Sequence, residues 1–427
     1  MPPVTLNDDV FTEILLRLPP KSVFRCRAVC KLWRSITTCA SFIAAYSRRR
    51  PLELIVYPDE YKPSPGSKNA VAAVSLDGTA TGCRRLLRQD AFLTLFGSCD
   101  GLLLFSQAAQ DSFLICNPAT RQWARLPALK PHPCSSVMPA GFYFHRPSGE
   151  YRVLCHGWER RSPTDPHINR GTHHRCHYVQ STSGAEPRRL GPFDETPDGD
   201  DDAHVYSDCG VAVSGTLYWA KHCQLAKTSM NMLAFDTVTE AFRRVPLPSV
   251  TCSLYKDLSL FDMHGTLAAS VVVEWPPATM RIWALDDGER WSFRLCLELP
   301  AQRPARLLEL DRLEYEYYRL FEPKDRDRSL HFGDPSGRNS GPLNEAVAAL
   351  EGDMLAVFAS GWVVLYDMKE KKMVSKVDQS YNCSCALWCV YRESLVPYPR
   401  DSPPRPASLC APTTTLSCFT TVSIILS

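Results

Sequence analysis

Residues 6–46 read LNDDVFTEILLRLPPKSVFRCRAVCKLWRSITTCASFIAAY, and the order of their apolar, basic and proline positions governs how the rest of the chain is interpreted. Asn7 suits a helix N-cap, and Asp8 and Asp9 put negative charge on the first turn, where the helix dipole favours it. Val10, Phe11, Ile14, Leu15 and Leu18 then recur at one-, three- and four-residue steps and draw one apolar stripe. Pro19 and Pro20 withdraw backbone donors and end that helix. A second helix is expected from about Lys21 or Ser22, with Val23, Cys26, Val29 and Cys30 on its apolar side and Arg25, Arg27 and Lys31 opposite. Trp33 and Ile36 carry an apolar face into a third short segment ending around Phe42. Three helices of this size bury too little surface to be stable alone, so they need a partner. On composition alone, a helical cap packed on the chain's own body serves equally well.

The order of residues favours the first alternative, because the run resembles the F-box pattern almost position by position. The matching residues are the acidic pair Asp8 and Asp9, then Glu13–Leu15, Arg17–Pro19, Lys21, Ser22, Arg25, Arg27, Val29–Lys31, Trp33–Ser35 and a closing Phe42. Two positions depart from it: Asn7 stands where a proline usually follows the first Leu, and Cys39-Ala40 where a proline often precedes the last Phe. Neither removes an apolar anchor. The resemblance implies a docking module for a Skp-family adaptor, with Leu6, Val10, Ile14, Leu15, Leu18, Pro19, Val23, Val29, Cys30 and Trp33 as the adaptor-binding set. Some of these must instead hold the three helices together, and the sequence does not divide them.

Working outward, 427 residues allow two or three domains, and 44% hydrophobic with 22% charged residues is ordinary for a globular protein. A formal net charge of +2 gives no bulk attraction to polyanions, so no nucleic-acid partner is expected, and Arg48-Arg49-Arg50 reads as a solvated linker. The N-terminus carries no apolar run with a basic flank, and the apolar stretch 416–426 is far shorter than the ~20 residues of a spanning helix. A soluble protein of the cytoplasm or nucleus, without a membrane partner, is expected. The 18 cysteines are scattered, several of them within apolar runs (Cys116, Cys155, Cys296, Cys389), and so read as reduced, buried thiols.

From Pro51 to about Glu393, apolar β-rich runs alternate with Gly, Asp, Asn and Pro punctuation, which predicts many short antiparallel strands. One layout returns. Residues 101–127, GLLLFSQAAQDSFLICNPATRQWARLP, read as strand, loop, strand, a turn at Asn117-Pro118-Ala119-Thr120, and a third strand. The Asn side chain caps that turn and the Pro fixes its φ. The layout recurs at 215–248, with Asp236 in place of Asn117, and at 265–300; weaker copies lie at 52–87, 141–193 and 352–377. Asp77, Asn117, Ser181, Asp236, Asp286 and Asp367 thus mark six candidate units. A unit of three or four strands cannot hide both faces alone, and radial stacking around an axis solves this while leaving short edges. The expected fold is therefore mainly β with a small N-terminal α domain: a three-helix module at 1–50, a β-propeller of about six blades at 51–395, and a disordered Pro/Ser/Thr-rich tail at 396–427. A β-sandwich with an extra domain is the alternative. The units resemble the kelch-like F-box-associated domains of plant proteins in the G-x-L strand opening and the N/D-P/T-x-T closing turn.

Three regions interrupt the repeat. Residues 156–177, with His156, His167, His173, His174, Cys176 and His177, and the acid-rich 194–204 read as inter-strand loops, and 301–341 carries apolar residues at near-helical spacing. The His/Cys cluster lacks the paired spacing of a zinc site, so no metal is expected there. No nucleophile elbow, H-E-x-x-H, P-loop or dinucleotide glycine fingerprint occurs, so no cofactor and no catalytic set are assigned. The loops at 156–177, 194–204 and 322–342 are the candidates for a binding surface. Taken with the resemblance, this implies a non-catalytic substrate receptor of an SCF-type cullin–RING ubiquitin ligase, the F-box on the adaptor and the propeller on a protein target. A ligase-independent scaffold or a propeller enzyme are the other readings.

Overall fold

The computed structural model describes residues 7–56, 69–76, 83–89, 94–107, 112–126, 134–160, 173–190, 210–219, 231–249, 258–273, 278–299, 344–359, 362–377 and 389–397. The segments 194–204, 301–341 and 398–427, and the turn residue Asp77, lie outside them. The chain opens with four helices: α1 (Asp8–Arg17), α2 (Pro20–Cys26), α3 (Lys31–Thr38) and α4 (Ala40–Arg48). The sequence led us to expect three. The third segment, expected to run to Phe42, breaks at Cys39, whose backbone is extended (φ −71°, ψ 146°) and whose Sγ accepts from Phe42 N to cap α4.

The rest is six four-stranded antiparallel sheets. Blade 2 holds β4 (Thr94–Cys99), β5 (Leu102–Gln107), β6 (Ser112–Asn117) and β7 (Gln122–Arg125) from inside to outside, and blade 3 holds β8 (Cys134–His145), β9 (Glu150–Arg160), β10 (His173–Ser181) and β11 (Arg188–Arg189). Blade 4 is built from β12 (Val211–Val213), β13 (Thr216–Trp219), β14 (Asn231–Asp236) and β15 (Ala241–Pro246), and blade 5 from β16 (Ser259–Met263), β17 (Thr266–Val273), β18 (Thr279–Asp286) and β19 (Arg290–Glu298). Blade 6 contains β20 (Asn344–Leu350), β21 (Met354–Ala359), β22 (Trp362–Asp367) and β23 (Lys372–Val377). Blade 1 is composite: β1 (Leu52–Val56), β2 (Asn69–Ser75) and β3 (Cys83–Gln89) are completed on the inside by β24 (Cys389–Arg392).

Apolar clusters show that the ring is closed. One joins each successive pair of blades: Ile55 and Phe105 share the cluster between blades 1 and 2, Ile115 and Phe142 that between 2 and 3, Leu154 and Phe235 that between 3 and 4. Val245 packs with Ala269 between blades 4 and 5, Ile282 with Val357 between 5 and 6, and Leu365 with Leu54 between 6 and 1. Each sheet is therefore buried on both faces, as expected where strands stack radially.

Within blades 2 to 6 the two hairpin turns, inner to second strand and third to fourth strand, lie on the same face of the ring. The inner hairpins of blades 2, 4 and 5 use two consecutive residues at positive φ: Asp100-Gly101, Ser214-Gly215 and His264-Gly265, the primed turns that match strand twist. These glycines open the G-x-L motif. The third strands end at Asn117, Ser181, Asp236, Asp286 and Asp367, the turn positions that the repeat marked. Asn117, Asp236 and Asp367 each accept from two following backbone amides, Asn117 from Ala119 and Thr120, Asp236 from Val238 and Thr239, Asp367 from Lys369 and Glu370.

Residues 156–160 and 173–177 do not form a loop: they belong to β9 and β10, with His156 directly opposite His177. Both are buried in the seam between blades 3 and 4, where the His177 ring lies 4.6 Å from Phe242. Histidine and arginine had masked strands that, buried on both faces, show no apolar alternation.

Candidate functional site

The α1–α4 module is built around Leu15, Leu16, Val23, Phe42 and Tyr46, with Leu18, Phe24, Trp33 and Ile36 packed against them. Asn7 sits at the N-cap of α1, though its side-chain oxygen accepts no helix amide and its Nδ2 donates to Asp9 Oδ2 (3.3 Å). Leu18 and Pro19 are extended, which turns the chain sharply, and Pro20 occupies the first turn of α2, where its missing N–H costs nothing. Cys30 caps α3 by accepting from Trp33 N at 3.4 Å.

Long-range ties fix the helices. Tyr46 donates its hydroxyl hydrogen to Leu18 O (2.9 Å), and Arg50 Nη2 donates to Leu16 O and Leu18 O (3.0 and 2.8 Å) while stacking 4.0 Å over the Tyr46 ring. Burial pushes the Tyr46 hydroxyl far up from its ordinary pKa. Arg27 donates to Thr37 O at 2.7 Å and lies over the Phe24 ring. Glu13 receives a two-pronged bond from Arg49, and the Arg49 and Arg17 guanidiniums pull its carboxyl down to about 2.

These helices divide the sequence-assigned set by burial. Leu15 and Val23 are core, and Leu18 and Trp33 are half-buried against that core. Val10, Ile14, Pro19, Val29 and Cys30 are exposed, and Leu6 lies outside the described residues. Val10 is 43%, Ile14 48%, and Val29 64% open to solvent, apolar exposure that nothing in this chain covers among the described residues. Val10 and Ile14 line a depression on α1 with Asp9, Glu13 and Arg17. Leu32, 42% exposed, and Phe11, whose ring sits 6.0 Å from Trp33, extend the apolar surface. Phe11 was legible in the α1 stripe; Leu32 was not, because only the start of α3 at Lys31 determines which way it points.

The helices are mounted on the tight-turn face of the propeller. Arg50 leads directly to β1, which starts at that face, and β24 ends there beside it, with Arg392 opposite Leu52. On the far face the second strand of each blade passes to the third, between Val56 and Asn69, Gln107 and Ser112, Arg160 and His173, Trp219 and Asn231, Val273 and Thr279, and Ala359 and Trp362. The connections from one blade to the next start and end there too. No group of three or more His, Cys, Asp or Glu residues that could hold a metal ion occurs among the described residues, and none of the described helices is long and apolar enough to cross a membrane.

Comparison with known proteins agrees with this division into helices and propeller. Residues 5–42 match the F-box domain, and residues 64–307 match the F-box associated beta propeller domain. The chain belongs to the family of F-box proteins with an F-box-associated β-propeller. It is 26% identical over 321 residues to an F-box/LRR-repeat protein of Arabidopsis thaliana, a match covering 68% of this chain and 66% of that protein. It is similar also to an F-box protein (22% identity; 67% of this chain, 77% of the relative) and an F-box/kelch-repeat protein (23% identity; 70% and 80%) of the same plant. The chain thus spans about two thirds or more of the length of these relatives. Among solved structures, a chain of a nidogen/laminin complex is similar at 11% identity with a TM-score of 0.39, covering 80% of this chain and 99% of that one.

Proposed function

We propose that this protein is a substrate receptor of an SCF-type cullin–RING ubiquitin ligase: its F-box helices dock a Skp-family adaptor, and its propeller holds a protein target. The observation that carries this reading is the outward apolar set Val10, Ile14, Val29 and Leu32 on helices whose own core is already complete. An apolar patch on so small a module marks a partner's seat. The receptor makes and breaks no bonds in this scheme. It raises the effective concentration of target lysines near the charged conjugating enzyme. The target-binding surface in this reading is the face away from the helices, because the strands that border it are joined by the longer connections in sequence and long connections on rigid blades suit recognition. Cytoplasm and nucleus, where such ligases work, are its proposed locations.

The test is capture of a Skp-type adaptor by the full chain and by Val10→Asp with Ile14→Asp. Both residues are exposed, so the helices should remain folded, and anchor residues of this kind carry about 2 kcal/mol or more, roughly thirtyfold in affinity. Adaptor binding by the double variant at full strength would sink the assignment of this face. Failure of the intact chain to bind any Skp-type adaptor would sink the receptor reading itself. Variants at Leu18 suit the purpose less, since its side chain packs on the helical core with Leu15, Val23 and Tyr46 and its loss would disturb the fold as well as the face.

A further inference from the structure

Two stretches of chain cross from the helices to the propeller, and they lie side by side. The first is the covalent linker through Arg49, Arg50 and Pro51 into β1. The second is the chain beyond β24. It leaves the sheet after Arg392 and continues as Glu393, Ser394, Leu395 and Val396, and each of these residues is held. Arg392 Nη1 donates to Arg48 O at 3.1 Å, and Glu393 accepts from Arg84 Nη1 at 3.1 Å. Leu395 is fully buried, not in the propeller but in the helical core with Leu15, Leu16, Val23, Phe42 and Tyr46. Val396 packs on the cluster between blades 2 and 3.

Ser394 is clamped by blade 2. It presses on Gly101, where a Cβ would stand 2.5 Å from Ser394 Cβ and 2.7 Å from Arg392 O, and where φ is +79°. Glycine alone meets both demands. From the other side Asn117, wholly buried, donates through Nδ2 to Ser394 O (3.2 Å) and Val396 O (2.9 Å). The turn at Asn117 does not need this amide: Asp236 and Asp367 cap the equivalent turns of blades 4 and 6 with a carboxylate. The amide half of Asn117 is therefore specific to holding the C-terminal chain.

We propose that residues 393–396 are a second strut, plugged into the F-box by Leu395 and locked to blade 2 by Asn117, that sets the orientation of the propeller relative to the adaptor-docking helices. The reason is mechanical. One covalent crossing leaves swing and twist about the linker, and motion between domains is the rule where the shared interface is small. A second anchor beside the first removes those freedoms. The inference builds on the receptor reading above, in which transfer depends on where target lysines are held. A fixed orientation narrows the volume those lysines sweep.

The experiment compares the full wild-type chain with Asn117→Asp, Leu395→Ala and the control Asp236→Asn, using small-angle scattering and amide exchange, each with and without a Skp-type adaptor. Asn117→Asp keeps the turn but aims a carboxylate at two carbonyl oxygens. We expect a broader distribution of interdomain distances in both test variants and exchange about tenfold or more faster in α4, with protection of blades 3 to 6 unchanged in both and adaptor affinity unchanged in Asn117→Asp, which does not touch the helical core. Asp236→Asn should match the wild type. Wild-type scattering and exchange in Asn117→Asp would overturn the proposal, and so would a loss of protection spread over all blades, which would make Asn117 a propeller-folding residue. A wild-type chain that binds no adaptor would remove the receptor reading, while the scattering and exchange of the free chain would still decide for or against the strut.

Discussion

Glu13 and Arg49, at opposite ends of the F-box module, meet in a two-pronged ion pair with both N–O distances at 2.8 Å, tying α1 to the residue that closes α4. The same carboxylate serves Arg17 one turn on. Both guanidiniums hold the Glu13 carboxyl down at about 2 against an ordinary value of 4.5. A depressed carboxylate contributes stability that is fully present above the unfolded value and disappears as pH falls through the folded one, so the window is from about 4.5 down to about 2. The pair is exposed, so screening leaves its contribution small. Glu13→Gln should lower the melting temperature of the helices slightly at neutral pH and low salt. The gap from wild type should close both on acidification to pH ~2 and in molar salt. Equal gaps under all three conditions would mean that the pair does not act through charge.

Tyr46 tests whether the hinge between α1 and α2 is held by one bond or two. Its hydroxyl and Arg50 converge on Leu18 O. Tyr46→Phe leaves that carbonyl with Arg50, so the loss should be that of one hydrogen bond, about 1 kcal/mol, with the ring still packed in the core. Arg50→Ala removes donors to two carbonyls and the cation over the ring, and should cost more than Tyr46→Phe. Chemical unfolding of the two variants gives the order directly, and the reverse order would show that Tyr46 bears the hinge.

Much of this arrangement was legible in the residues. The period of α1 and the two prolines after it fixed where the first helix ends, and Asn117, Asp236 and Asp367 announced the turns because a side-chain oxygen two residues ahead of a free amide is a local device. What escaped was non-local. Nothing in Cys389–Arg392 says that it pairs with Leu52–Ile55, far away in sequence, to close the ring. Leu395 is one more apolar residue near the end of a strand pattern, yet it belongs to the helical core. The split of the F-box set into buried Leu15 and Val23 and exposed Val10 and Ile14 depended on how four helices pack, and the fourth was itself hidden by the unexpected cap at Cys39.

A buried carboxylate staples blade 4 to blade 3. Glu240, its side chain 6% exposed, accepts from Tyr143 Oη (2.6 Å) and Arg152 Nη1 (2.7 Å) and pairs with Arg188. Its φ of +54° is the left-handed region that a side chain enters at a cost. Glu240→Ala leaves Arg152, only 17% exposed, with Glu150 at 3.7 Å and Ser148 Oγ at 3.2 Å, and should destabilise the propeller by about 2 kcal/mol, less than breaking a fully buried pair because Arg152 keeps these partners and Arg188 can turn to water. Glu240→Gly loses the same contacts but relaxes the backbone, and should be about 1 kcal/mol less harmful than Ala. Urea unfolding of the two variants separates the terms. If glycine proves the worse of the two, the turn is held by something other than its ion pairs.

Gly210 bears on the same seam from the other direction. A Cβ there would lie 2.6 Å from Trp219 Cε2 and 2.8 Å from Nε1, inside contact distance of a ring that cannot move aside. Trp219 is pinned because Nε1 donates to Ala140 O at 3.0 Å, and Gly210 N donates to the same carbonyl at 3.2 Å. Gly210→Ala must therefore displace either the indole or β12, and overpacking of this kind costs about 1–3 kcal/mol. Trp219 is 4% exposed and sits in the cluster between blades 3 and 4, so its displacement should show as a red-shifted emission component with a lower unfolding midpoint. Trp219→Phe, which gives up the bond to Ala140 but frees the space, should largely suppress the penalty when combined with Gly210→Ala. Additive losses in that double variant would place the strain of Gly210 somewhere other than the tryptophan ring.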